Sequence, residues 1–235
     1  GPIKFHLAEQ GIFNFPYVWH FNAFIGALFK IFLAVVIVSM TANEYSNKTI
    51  KQNLIDGLSK REFLHSKWVM IVTFSGISTL FIFLVSLILG LLYSNYNEIG
   101  IIFKDLEYLL AYFLKLVAFF AFCLFLGTAI KRSAFALGFL GVWQMFEGIC
   151  YGFFKWKSPT WVDAEQVFRL FPLNAMSNLV PEPFTRLSAV RNLADQVGEV
   201  MQSNTVVRFW DIVIVLVWSY IFYLLTYRLL MRRDL

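Results

Sequence analysis

The sequence predicts an all-α membrane protein with five transmembrane helices in this chain, and three observations carry that prediction. First, the 235 residues are 59% hydrophobic and 15% charged. Soluble globular domains are about 45–50% apolar and about 25% charged, so the natural solvent for this surface is a bilayer. Second, five stretches reach the roughly 20 mainly apolar residues a helix needs to cross about 30 Å of hydrocarbon. They span about 20–42, 68–93, 108–130, 133–154 and 209–230. Third, the alternating pattern of a barrel strand is absent, and backbone groups in lipid must be satisfied internally, so these stretches are helices. The chain 1–235 reads as a single transmembrane domain.

The elements follow in order. Residues 1–19 lead into the first span. Residues 43–67 form the most polar part of the chain, with Lys48, Lys51, Lys60, Arg61 and Lys67 set among Glu44, Asp56 and Glu62. A short loop, 94–107, joins the second and third spans, and the Lys131-Arg132 turn joins the third and fourth. A long loop, 155–208, precedes the last span. Proline punctuates that loop at Pro159, Pro172, Pro181 and Pro183. Within it, 160–171 (Thr160 as N-cap, with Val162, Val167 and Phe171 on one side) and 185–202 carry apolar residues at helical spacing. They predict two short helices on that face of the membrane.

Basic residues set the orientation. Segments 43–67, 131–132 and 228–235 hold ten Lys or Arg in 35 positions, whereas 1–19, 94–107 and 155–208 hold eight in 87. The first set is expected to be cytoplasmic, as is the C-terminus, which makes 155–208 an outer loop. Five spans then leave residue 1 outside, an arrangement that predicts a sixth span ahead of it in the complete protein. The expected location is the plasma membrane, the inner membrane in a bacterium. The net charge of +5 reflects these loops rather than a nucleic-acid partner. Cys123 and Cys150 fall in apolar runs and read as small hydrophobes.

Two capping-box patterns, Thr41-x-x-Glu44 and Ser59-x-x-Glu62, mark helix starts in the polar segment. Gly57 stands where a helix C-terminus favours positive φ. These signals predict a helix over about 44–56, a break at Asp56-Gly57-Leu58, and a second helix from Ser59 into the next span. Ile50, Leu54, Ile55 and Leu58 form its apolar stripe. Such a helix either lies on the membrane face, its basic residues drawn to anionic headgroups, or docks as a knob into a partner.

The order Glu44, Lys48-Thr49, Leu54, Gly57, Ser59, Arg61, Phe63-Leu64 and Lys67 resembles the cytoplasmic signature of ABC-2 type transporter membrane subunits. In that family an acidic residue ends the second span. A Gly-Thr pair, a tight turn, Ser-Arg, an apolar pair and a Lys follow. Here Lys48 replaces the Gly, and Gly57 stands at the turn proline. The resemblance implies an ABC-2 exporter-like fold of six spans, of which this chain supplies the second to sixth, with short outer-face helices before the last. It also implies a dimer of membrane subunits, identical or paralogous, served by cytoplasmic P-loop ATPase subunits that carry the ATP and Mg. On this resemblance 44–57 is the coupling helix. Glu44, Lys48, Thr49, Lys51, Leu54, Gly57, Ser59 and Arg61 would form the ATPase-coupling surface.

Three ionisable residues fall inside spans: Lys30, Lys115 and Glu147. A charge in lipid costs at least ~2.5–3.5 kcal/mol on insertion scales, so partners are expected. Depth along the third and fourth spans predicts that Lys115 and Glu147 interact, with Lys30 a second partner for Glu147. The pair is either a helix-locking contact or a polar point in a substrate path. Asn22, Ser86 and Gln144 read as interhelical hydrogen-bonding residues. The chain has no P-loop motif, no nucleophile–base set and no metal-ligand spacing, so no catalytic residue, metal or cofactor is assigned to it. The Phe-rich spans suit a lipid or amphipathic cargo. The other readings are a gradient-driven carrier or channel and a non-transporting scaffold.

Overall fold

The computed structural model describes residues 11–95, 98–157, 164–186 and 205–232. Among them the regular structure is entirely helical. Helices α1 (Tyr17–Leu28) and α2 (Lys30–Ser46) are followed by the short α3 (Thr49–Ile55) and the long α4 (Lys60–Tyr93). Then come α5 (Ile99–Ile102), α6 (Glu107–Ile130), α7 (Ser133–Lys157), α8 (Ala164–Phe168) and α9 (Pro172–Asn178). A 3-10 turn at Phe184–Arg186 and the final helix α10 (Phe209–Arg232) complete the chain.

Helices α4, α6, α7 and α10 are each long and apolar enough to cross a membrane. The first expected span is broken: α1 and α2 meet at Phe29 with a bend of 45°. There the Phe29 N–H donates to the Gly26 carbonyl, a tightened turn in place of the regular i→i−4 bond. With α1 and α2 taken as one bent span, the described residues hold five.

α6 is the central helix. Most of its residues are buried, whereas α4, α7 and α10 leave most of their apolar length exposed. It packs on α10, α2, α4, α1 and α7. Buried Tyr112, Leu116, Phe119, Phe120, Leu124 and Leu126 carry the core along it. The outer faces stay apolar: Val69, Ile77, Leu80, Phe81 and Ile88 on α4, and Phe135, Val142, Met145 and Ile149 on α7, are all exposed. A continuous apolar face of this size suits lipid, not water. Two of the polar residues read as interhelical hydrogen-bonding groups meet each other between α1 and α4, with Asn22 Nδ2 donating to Ser86 Oγ at 3.0 Å.

Two glycines of the bundle admit unusually close neighbours. A Cβ on Gly127 of α6 would lie 3.0 Å from Thr41 Cβ and 3.5 Å from the Val38 carbonyl of α2. A Cβ on Gly90 of α4 would lie 2.2 Å from the Phe15 ring. Lys131 adopts φ 60° and ends α6, so the Lys131-Arg132 turn reverses the chain directly into α7.

The segment before α10 differs from expectation. The helix expected over 160–171 is only Ala164–Phe168 among the described residues, and nearly all of the one expected over 185–202 lies outside them. An unexpected helix, α9, is inserted instead against α10, α6 and α7. Its Leu173, Ala175 and Met176 are buried.

Candidate functional site

At the end of the bundle that carries α3, the chain leaves α2 through Asn47 and Lys48. Lys48 sits at φ 57°, a left-handed conformation. The Thr49 hydroxyl donates to the Glu44 carbonyl at 3.1 Å and braces this reversal. The helix expected over 44–56 is therefore two pieces: residues 44–46 finish α2, and α3 is limited to Thr49–Ile55. The Thr41-x-x-Glu44 capping box does not form. Thr41 lies within α2 and donates to the Ile37 carbonyl at 2.9 Å. A cap needs free amides, and α2 arrives from upstream with its amides already paired.

The far side of α3 matches its signals. Gly57 takes φ 103°, and Leu58 N–H reaches back to the Asn53 carbonyl at 3.0 Å. Ser59 caps α4 with a complete capping box: Ser59 Oγ accepts from Glu62 N–H at 3.2 Å, and Glu62 Oε2 accepts from Ser59 N–H at 2.8 Å. The second bond holds the exposed Glu62 carboxyl below its usual range. At ~1.5 Å per residue the 34 residues of α4 extend about 51 Å. That exceeds the hydrocarbon thickness, so its first turns project beyond the bilayer.

The side chains of this end sort into an anchored set and a presented set. Ile50 is buried and Leu54 half-buried, and these hold α3 to the bundle. Glu44 is ion-paired with Lys67 of α4, which ties α2 to α4 at the base of α3. Arg61 Nε donates to the Tyr227 hydroxyl of α10 at 3.2 Å. Lys48, Thr49, Lys51, Gly57 and Ser59 are exposed. Ile55, expected on the apolar stripe, instead points outward and is 83% exposed. On one side of α3 a cleft of about 470 Å³ is lined by Lys48, Lys51, Lys131 and Arg132 together with Glu44. On the other, a hollow of about 490 Å³ is lined by Asn53, Asp56, Gly57, Leu58 and Glu62. The knob thus offers an apolar tip between a basic and an acidic flank.

The charges within the spans follow expectation only in part: Lys30 and Glu147 lie close enough to interact electrostatically. Lys115 and Glu147 do not pair; each binds an end of α9. Glu147, 3% exposed, accepts from Leu173 N–H at 3.2 Å and Asn174 N–H at 2.9 Å, and from Trp143 Nε1 at 2.7 Å. It serves as the N-terminal cap that Phe171 cannot provide. Lys115 lies 3.5 Å from the Ser177 carbonyl near the other end of α9. Acid at the start and base at the end complement the helix dipole. Lys30 rests over the Phe119 ring at 4.7 Å. Pro172 at the first helical position was the sequence signal for α9.

Among the described residues, a helical bundle with apolar outer faces, four spans and a bent fifth, and a capped knob at one end defines a multi-pass membrane protein. Residues 5–235 match the family described as ABC-2 family transporter protein. The chain belongs to that family, whose members are membrane components of ABC transporters. No curated protein and no solved structure matches it.

Proposed function

We propose that the chain is the membrane-spanning subunit of an ATP-binding-cassette exporter, moving a lipid-like or amphipathic substrate with energy from ATP hydrolysed on a separate cytoplasmic P-loop subunit. The observation that carries this reading is the presentation of α3. An exposed Ile55 stands at the tip of a helix fastened at both ends, between basic and acidic flanks. An apolar anchor ringed by charge is the arrangement that docks into a partner's groove. The flanking charges give register and specificity more than affinity.

The α3 end is the cytoplasmic one, together with the C-terminus, because the basic residues concentrate there. The ATP and Mg belong to the ATPase. A second membrane subunit, identical or paralogous, completes the translocation path. Of the coupling residues, Lys48, Thr49 and Lys51 meet the ATPase directly. Glu44, Leu54, Gly57, Ser59 and Arg61 hold α3 in position. The plasma membrane, the inner membrane in a bacterium, is the site of action.

The test is purification of the complete protein in mild detergent, with mass analysis of what accompanies it and an assay of ATP hydrolysis. A stoichiometric P-loop ATPase is expected. Ile55→Asp should reduce its retention at least about tenfold, the effect of losing some 1.4 kcal/mol or more at a buried anchor. A chain that carries no ATPase and shows no nucleotide-dependent behaviour would overturn the reading in favour of a gradient-driven carrier or channel, or a scaffold.

A further inference from the structure

Lys30 opens α2 immediately after the 45° bend. Together with Lys115 of α6 it lines a cavity of about 440 Å³ between the bend and the segment that follows α9. That volume lies in the usual range for small-molecule sites, about 300–1,000 Å³. Phe24, Leu28 and Ile31 supply apolar walls, and Glu182 also lines the cavity.

The two ammonium groups are poorly satisfied. Lys115 is 4% exposed, and its sole hydrogen-bond partner among the described residues is the Ser177 carbonyl, at the long limit of 3.5 Å. An ammonium carries three donors. Lys30 is half-buried, with the Phe119 ring under its charge. Neither lysine forms an ion pair among the described residues. Two acids are near, Glu182 in the cavity lining and Glu147 close enough to act on Lys30 electrostatically, but their short hydrogen bonds go to other groups. Glu147 is committed to three N–H donors, and Glu182 Oε2 accepts from Phe184 and Thr185 N–H. What stays unfilled is hydrogen bonding rather than net charge: the lysine donors facing the cavity lack acceptors, which the oxygens of an anion would supply.

We propose that this cavity binds the anionic headgroup of a membrane amphiphile, with a phosphate between Lys30 and Lys115. The acyl chain lies along Leu28 and Ile31, which line the cavity and are exposed at its outer side. The tail path selects a lipid over free phosphate, which shares the headgroup chemistry. As a binding site it is independent of the ATPase; as a place for cargo it rests on the transport reading above.

The experiment uses the complete protein, delipidated in detergent and without nucleotide or ATPase. It is titrated with mixed micelles of phosphatidylglycerol or phosphatidylcholine, and bound lipid is counted by native mass spectrometry. Phosphatidylglycerol should be retained at least about tenfold better than phosphatidylcholine, and Lys30→Met and Lys115→Met should each remove that preference. Lys30→Arg should keep it. If Lys115→Met fails to fold, as judged by circular dichroism and size exclusion, the Lys30 variants decide. Equal retention of the two lipids, or an unchanged preference in Lys30→Met, would overturn the proposal. So would displacement of the lipid by excess inorganic phosphate, because the site would then be one for a free anion. A negative result here leaves the ATPase-retention experiment untouched, and the converse holds as well.

Discussion

Glu44 and Lys67 lie 23 positions apart in the chain and meet across the base of α3. The pair is largely buried: the lysine side chain is 11% exposed and the carboxylate side chain 25%. Glu44 Oε2 is buried without a hydrogen-bond partner among the described residues. Removing one member therefore leaves a charge that water reaches poorly. Lys67→Met alone is expected to destabilise by about 2–3 kcal/mol, somewhat below the figure for a fully buried pair because Glu44 is partly exposed. Lys67→Met combined with Glu44→Gln should recover much of the loss. Thermal unfolding of the wild type, both single variants and the double variant closes a cycle, and strictly additive losses would show that the pair does not act as a unit. Lys48 belongs to the same scale. Its φ of 57° is a conformation that costs a side-chain-bearing residue roughly 1–2 kcal/mol. This gives a physical reason for glycine at that place in the family signature that the segment resembles.

At the scale of the element, α9 shows most clearly what the sequence conceals. It has seven residues and no capping side chain at Phe171, too few to stand alone in any solvent. Its cap, Glu147, sits on α7, 27 positions before Asn174. Glu147→Ala would strand the amides of Leu173 and Asn174 and the Trp143 indole N–H, at about 1–3 kcal/mol for each buried donor left unpaired. Hydrogen exchange at Leu173 and Asn174 should then accelerate by at least about tenfold. Exchange at the wild-type rate would mean that other contacts hold α9. The same insertion explains the missing Lys115–Glu147 pair. Depth along two spans placed both residues near one level, but no local pattern signals a third element whose two ends take up both charges. The long apolar helices, the positive φ of Gly57 and the Ser59–Glu62 box were legible because each is written within a few residues. The Thr41–Glu44 pattern had the right letters in a helix already under way. The bend at Phe29 has neither a proline nor a glycine at its vertex to announce it.

At the scale of the whole molecule, the α3 end and the lysine cavity are joined by one rigid piece. From Lys30 to Glu44 is 14 residues of α2, about 21 Å at ~1.5 Å per residue. The helix is clasped to α4 through Glu44–Lys67 at one end and bends at Phe29 beside the cavity at the other. A displacement of α3 is thus delivered to α2 and reaches the bend, provided α2 stays seated on α6. Gly127 is where that seating is tightest, against Thr41 and the Val38 carbonyl. Gly127→Leu should force the two helices apart, at about 1–3 kcal/mol for overpacking, while leaving Ile55 and both flanks of α3 in place. The expected outcome is therefore split: ATPase retention close to wild type, a lower unfolding temperature, and loss of any stimulation of ATP hydrolysis by a bound amphiphile. A variant that still transmits stimulation would show that the coupling bypasses α2, and the next path to test would be α4 and α10 through the Arg61–Tyr227 contact.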